Sequence, residues 1–157
     1  MGVSFEEKDL GWEKIQKELK KFENGYTKIG FFSNGGDPSS NIAARAAVQE
    51  YGAKIKVFGR KESEIPSRPF MRMTFENNKN KISKLMQRLY DGILEGKMTA
   101  RRALKILGEW YVGQVKMTIT TGTFAPLSPL TIKLKKSSKP LINTGEMRNS
   151  LQHRESI

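Results

Sequence analysis

Few side chains in this sequence have the types and spacing that chemistry requires. The chain has no cysteine and a single histidine, His153. A cysteine nucleophile, a thiolate metal site and a histidine-rich metal cage are therefore excluded. Carboxylates such as Glu50, Glu62, Glu64 and Glu109 form no recognisable acid–base pair. We therefore expect no catalytic, cofactor-binding or metal-binding residue, and we expect that the protein is not an enzyme.

Nucleotide and membrane binding also lack their usual signatures. The sequence contains neither a G-x-x-x-x-G-K-[ST] nor a G-x-G-x-x-G motif, so no glycine-rich phosphate loop is expected. Gly35-Gly36-Asp37 is typical of a turn. No segment approaches the roughly 18 consecutive apolar residues of a membrane-spanning helix, so no membrane partner is expected.

Proline-flanked apolar segments are the best candidates for binding. They are residues 65–70 (IPSRPF), 126–129 (PLSP) and 140–145 (PLINTG). Proline fixes the backbone in advance, so docking such a segment loses less entropy. The alternative, that each segment packs on its own domain, remains equally open. The candidate partner-interface residues are Pro66, Arg68, Pro69, Phe70, Arg72, Pro126, Leu127, Pro129, Pro140, Leu141, Thr144 and Gly145.

Within that set, apolar and basic residues have different expected roles. Phe70, Leu127 and Leu141 are the expected interface anchors because they are apolar side chains beside prolines. Arg68 and Arg72 are expected to make charge-assisted contacts with a partner.

The charge of the chain is strongly positive and uneven. There are 28 basic and 16 acidic residues, for a formal net charge of +12. Residues 1–53 hold 7 basic and 8 acidic residues, whereas residues 54–157 hold 21 and 8. Such a balance is compatible with a nearby polyanion and also with an ordinary solvated surface. The candidate polyanion contacts are Arg101, Arg102, Lys133, Lys135, Lys136 and Lys139.

The chain has 157 residues, a length typical of one domain, so we expect a single domain over 1–157. The helices and strands that position the candidate residues are predicted from the periodicity of apolar side chains. Apolar residues at helical spacing predict helices over 10–23, 39–51, 70–94 and 99–119. In the third of these, the polar stretch 76–81 predicts a turn or break. Short strands are expected at 26–33 and 55–58. Residues 59–69 and 122–145 are expected to be exposed loops or arms, and 152–157 a frayed tail.

Four motifs in fixed order resemble a known group of proteins. They are VQEYG at 48–52, IPSRPFMR at 65–72, PLSPLT at 126–131 and PLINTG at 140–145. In this order and spacing they resemble tailed-phage virion-morphogenesis proteins, which are tail-completion, head–tail joining or minor tail components of long-tailed phages and of prophages, including Mu-like ones. The resemblance implies an α+β fold with several helices packed on a small antiparallel sheet and extended loop or arm segments.

The resemblance also implies a structural role in the virion. The implied partners are other copies of the chain in a ring, for which a hexamer is one candidate, and tail tube, tail terminator or head–tail connector proteins. DNA would pass nearby. The implied location is the neck or head-proximal tail, with the host cytoplasm as the site of assembly. The alternative function is a basic nucleic-acid-binding module, which would give a steep loss of affinity with salt.

Overall fold

The computed structural model describes residues 11–32, 41–55, 63–135 and 138–157 and has an α+β fold, as the sequence analysis predicts. Helices supply most of the regular structure, and the strands form two small antiparallel pairs. The elements in chain order are α1 (Trp12–Asn24), β1 (Tyr26–Gly30), α2 (Ile42–Tyr51), β2 (Ala53–Ile55), β3 (Ser63–Ile65), α3 (Phe70–Leu94), α4 (Ala100–Thr121), α5 (Pro129–Lys135), α6 (Glu146–Asn149) and β4 (Gln152–Ser156).

The two longest helices, α3 and α4, pack against each other as a hairpin. The break predicted at 76–81 is wrong, because α3 is continuous from Phe70 to Leu94. The Thr74 hydroxyl, just before this stretch, is 2.8 Å from that of Thr118 on α4, and buried Asn78, within the stretch, donates to the Thr74 carbonyl of its own helix. A polar side chain that is buried and bonded in this way leaves the helix intact.

Apolar burial is divided between two clusters. The helical core consists of Phe22, Leu89, Ile93, Ala100, Ala103 and Leu104, and it joins α1 to the end of α3 and the start of α4. The groove-side core consists of Ala46, Phe70, Val115, Ile119, Leu141 and Leu151, and it joins α2, the start of α3, the end of α4 and the C-terminal segments. The clusters therefore lie toward opposite ends of the α3–α4 hairpin.

The prediction of a frayed tail at 152–157 is wrong. Residues Gln152–Ser156 form β4, which pairs antiparallel with β1 from Tyr26↔Ser156 to Gly30↔Gln152. Leu151, which is 2% exposed, anchors the strand in the groove-side core. Along β4, half-buried and exposed residues alternate, which is the pattern of a strand with one face on a protein layer. The buried face covers α4.

Gly108 on α4 marks the closest approach of this strand pair. A Cβ atom at this position would lie 2.5 Å from Nδ1 of His153 and 2.8 Å from the hydroxyl oxygen of Thr27. Both of these polar atoms are buried without a hydrogen-bond partner. The single histidine is thus a packed residue of the β1–β4 strand pair. Its Nδ1 lies 3.7 Å from a carboxylate oxygen of Glu155.

The two predicted arms are more ordered than expected. Within 59–69, residues Ser63–Ile65 form β3 and pair with β2, while 59–62 lie outside the described residues. Within 122–145, Pro129–Lys135 forms α5, and Phe124, Leu141 and Ile142 pack in or against the groove-side core. Residues 136 and 137 lie outside the described residues. The described parts of both segments are built into the domain.

Candidate functional site

Arg68 ties three distant parts of the chain together. It is 3% exposed. Its Nη1 donates to Oε1 of Gln49 at 2.9 Å, its Nε to the carbonyl of Ala125 at 2.8 Å, and its Nη2 to the carbonyl of Pro126 at 3.0 Å. Its backbone N–H donates to the Gln49 carbonyl at 2.6 Å. The IPSRPF segment is therefore bonded both to α2 and to the segment that follows α4.

Glu50 holds the beginning of α3. Its carboxylate is 8% exposed, and its oxygens accept from the backbone N–H groups of Met71 at 2.8 Å and Arg72 at 3.0 Å. These N–H groups have no partner within the helix, and a negative charge there is favoured by the helix dipole. Burial, followed by the charge of Glu50, raises the pKa of the nearby Tyr111 hydroxyl. Glu50 thus caps the start of α3.

Gly52 allows the two segments to approach closely. Its φ of +78° lies in the left-handed region, and a Cβ atom there would meet the Ile65 carbonyl at 2.8 Å and the Ser67 nitrogen at 3.0 Å. The Ser67 hydroxyl also donates to the Glu50 carbonyl at 2.8 Å. The first two motifs, VQEYG and IPSRPFMR, therefore form one bonded unit.

A surface groove of about 400 Å³ lies beside this unit. Its lining includes two basic residues, Arg45 and Arg68, and two acidic residues, Glu64 and Glu146. Arg45 and Glu146 form a salt bridge of 2.7 Å across 101 positions of sequence. Its wall includes Leu141, whose φ of +62° is unusual for a residue with a bulky side chain. The groove is lined by Arg45, Gln49, Ile55, Glu64, Ile65, Pro66, Arg68, Pro126, Leu127, Ser128, Thr131, Leu141, Asn143, Thr144, Gly145, Glu146 and Met147.

Most of the interface residues chosen from sequence meet in this groove. Seven of the candidates line it: Pro66, Arg68, Pro126, Leu127, Leu141, Thr144 and Gly145. The other five, Pro69, Phe70, Arg72, Pro129 and Pro140, are not among its lining residues. Segments that are separated by up to 80 positions in the chain thus contribute to one surface.

Two of the three expected anchors are in the protein interior. Phe70 has no exposed surface and packs its ring edge-on to Phe31, with 6.3 Å between the ring centroids. Leu141 is 8% exposed, so it reaches the groove only as part of its wall. The assignment of Phe70 as an interface anchor is therefore wrong for the folded chain, because its surface is already used by the core. Leu127 is half-buried and stays accessible in the groove.

The two arginines also have different surroundings. Arg68 donates three of its five side-chain N–H groups to acceptors within the chain, so a partner contact would have to use the other two. Arg72 is exposed on the first turn of α3, away from the groove lining.

The candidate polyanion contacts divide between the two ends of α4. Arg101 and Arg102 are exposed on its first turn, whereas Lys133 and Lys139 are exposed in the segment that follows its last residue. A helix of this length separates its ends by about 30 Å. Lys135 ends α5, and Lys136 lies outside the described residues.

The sequence analysis missed the residues that complete the site. It assigned no role to Gln49 or to the Arg45–Glu146 pair, and it did not foresee that the carbonyls of Ala125 and Pro126 bind Arg68. Long-range bonds of this kind leave no local periodicity. The available signal was that Arg68 lies in a segment whose backbone is restricted by Pro66 and Pro69.

Metal binding and membrane insertion find no support in the part of the chain that the structure describes. It contains no group of three or more His, Cys, Asp or Glu side chains that could hold a metal ion. Its helices include none that is long and apolar enough to cross a membrane.

Comparison with known proteins gives no relative for this chain. No protein-family profile, no curated protein and no solved structure matches it significantly.

Proposed function

We propose that the protein is a structural component of a phage or prophage virion that acts in tail completion or head–tail joining. It forms a ring with other copies of itself and docks on the tail tube, the tail terminator or the head–tail connector. It acts in the neck or head-proximal tail of the virion after assembly in the host cytoplasm. No catalytic step is part of this function.

One observation carries the proposal: the four motifs of the resemblance form one site. The QEYG unit is bonded to IPSRPF through Gln49, and Arg68 is bonded to the segment that begins PLSP. The groove then takes Leu141, Thr144 and Gly145 from PLINTG. Motifs that lie far apart in the sequence but meet at one surface support a shared purpose at that surface.

The hydrogen bonds of Arg68 and the packing of the proline segments favour docking on a preformed surface. The sequence analysis predicted exposed loops or arms, but the described parts of these segments are already held by hydrogen bonds and core packing. A preformed surface loses little conformational entropy when a partner binds. We therefore place docking at the groove and assign the proline segments the role of building it.

The proposal is tested by measuring the chain in finished particles of the phage or prophage that encodes it. Quantitative mass spectrometry of purified virions should find a constant copy number per particle, because ring positions are fixed by symmetry. Gradient-purified host proteins serve as the control for contamination. Absence of the chain from virions, together with its presence in the infected cell, would contradict the proposal.

The second candidate function, nucleic-acid binding, is supported by the excess of basic residues over 54–157. It predicts that a random-sequence DNA duplex binds at low salt and is released steeply as salt rises. Replacing Lys133, Lys135 and Lys136 by glutamine should then weaken binding. If the duplex does not bind at low ionic strength, this candidate is eliminated.

A further inference from the structure

The groove contains a buried positive charge without a counter-ion among the described residues. Arg68 is almost fully buried, yet the three acceptors that it bonds are neutral: one side-chain amide and two backbone carbonyls. None of the salt bridges between described residues includes it. Burial of a cation is unfavourable unless an opposite charge compensates, and here it lowers the pKa of the Arg68 guanidinium.

Nearby carboxylates of the chain have other partners. Glu50 is occupied by the N–H groups at the start of α3, and Glu146 is paired with Arg45. Glu64 lines the groove from β3, where it is exposed to water. Among the described residues, Arg68 therefore makes no hydrogen bond or ion pair with a carboxylate.

The guanidinium retains the capacity for such a contact. It has five N–H groups, and the three recorded bonds use one on Nε, one on Nη1 and one on Nη2. A carboxylate accepts two N–H groups in a planar arrangement, and such pairs are among the strongest hydrogen bonds in proteins. The groove volume of about 400 Å³ is in the range of sites that enclose a ligand.

We propose that the groove binds an extended segment of a partner protein and that a carboxylate side chain of this segment pairs with Arg68. This inference rests on the proposed function, in which the partner is a neighbouring virion protein. The net charge of +12 on the chain favours the approach of an acidic partner segment, and Arg68 is the groove residue that would bind its carboxylate.

Ser128 offers a matched pair of variants that alter the charge of the groove and preserve its shape. It lines the groove, and its hydroxyl oxygen accepts from the Thr131 N–H at 3.2 Å, which caps α5. Aspartate and asparagine are equally good residues for that cap. Ser128→Asp adds a negative charge to the groove lining, which opposes an incoming carboxylate, whereas Ser128→Asn adds a neutral group of the same size.

The experiment is a selection of short random peptides on the full-length chain, followed by affinity measurement on both variants. We expect the enriched peptides to share an aspartate or glutamate at one position. Ser128→Asp should weaken their binding about tenfold or more, since like charges oppose docking, and Ser128→Asn should leave it within about twofold. Replacing the shared acid by its amide should give a loss similar to that of Ser128→Asp.

Several results would overturn the inference. Peptides without a shared acid, or equal affinity for both Ser128 variants, would show that no carboxylate is recognised. Displacement of the peptide by inorganic phosphate at constant ionic strength would indicate a site for free anions. Self-association that only Ser128→Asp abolishes would make a second copy the occupant. Each of these outcomes is independent of the copy number in virions, so the inference and the proposed function can fail separately.

Discussion

The two ends of the α3–α4 hairpin share one feature, a helix capped by a carboxylate, but differ in how their cores are built. At each end a carboxylate from another element caps a long helix: Glu18 accepts from the Ala100 N–H at 2.8 Å, and Glu50 accepts from Met71 and Arg72. The helical core around Glu18 is otherwise built from apolar side chains on helices. The groove-side core instead includes a leucine with positive φ, Leu141, and lies beside loops and a buried arginine.

Buried polar and charged residues are concentrated at the groove end of the hairpin. All four buried polar or charged residues of the described chain, Glu50, Arg68, Thr74 and Asn78, belong to α2 or to the segment that contains the start of α3. Buried polar groups require matched partners, so this end is more demanding to build than an apolar core. We interpret the extra demand as the cost of holding a binding surface in shape.

The largest expected effect comes from removing the ring of Phe70. Phe70→Ala should lower the free energy of unfolding by about 3–5 kcal/mol, because a fully buried phenylalanine leaves a cavity. Urea denaturation measures this change. Phe75→Ala, five positions further along α3 and 47% exposed, is the control and should cost far less. Similar losses for both variants would contradict the burial of Phe70 in the groove-side core.

Two glycine-to-alanine substitutions on α4 should change the stability of the protein in opposite directions. Gly108→Ala should destabilise the protein by about 1–3 kcal/mol, because the new methyl group overlaps His153 and Thr27. Gly113→Ala has open space around its Cβ and should stabilise the helix by about 0.5–1 kcal/mol. Thermal unfolding of both variants measures the contrast. A stable Gly108→Ala protein would mean that β4 does not pack on α4 as described.

Removing the charge of Glu50 should have a smaller effect. Glu50→Gln keeps the size of the side chain but replaces one acceptor oxygen by a donor amide, which cannot bond the second N–H group of α3. We expect a loss of about 1–2 kcal/mol in the free energy of unfolding. Glu109→Gln, on the exposed surface of α4, is the matched control. Equal stability of the two variants would remove Glu50 from its capping role.

Lowering the pH should slightly reduce the free energy of unfolding through protonation of Glu18. The hydrogen bond from Lys21, together with the one from the Ala100 backbone, holds the pKa of Glu18 below its ordinary value. A carboxyl group with a lowered folded-state pKa stabilises the protein above its unfolded pKa, and this contribution is lost as the pH falls through the folded pKa. Glu18→Gln should therefore reduce the acid-side loss of stability. Identical pH profiles for the variant and the parent chain would contradict this.

Sequence patterns predicted the helical end better than the groove end. The spacing of Leu85, Leu89 and Ile93 on α3 identifies the face that packs in or against the helical core, since helical periodicity is a local property. The continuity of α3 at 76–81 was missed because Asn78 is polar in sequence yet buried in contact with Thr74. The tail strand was missed because its pairing partner, β1, begins 126 positions earlier.

The candidate site was predicted by residue type but not by role. Proline-flanked segments pointed to Leu127 and Thr144, which do line the groove. The same reasoning assigned Phe70 to a partner surface, although the fold places it in the core. Hydrophobic character indicates that a side chain is buried, but only the tertiary structure decides whether the chain itself or a partner covers it.

The central claim, that the groove is the docking surface in the virion, is tested most directly by photocrosslinking in assembled particles. The photoreactive residue p-benzoylphenylalanine would replace Leu127 in the groove or, in the control, Met117, which is 59% exposed on α4 and does not line the groove. We predict that position 127 crosslinks to another virion protein and that position 117 gives little or no such product. Equal crosslinking from both positions, or incorporation into particles with no crosslink from 127, would contradict the claim.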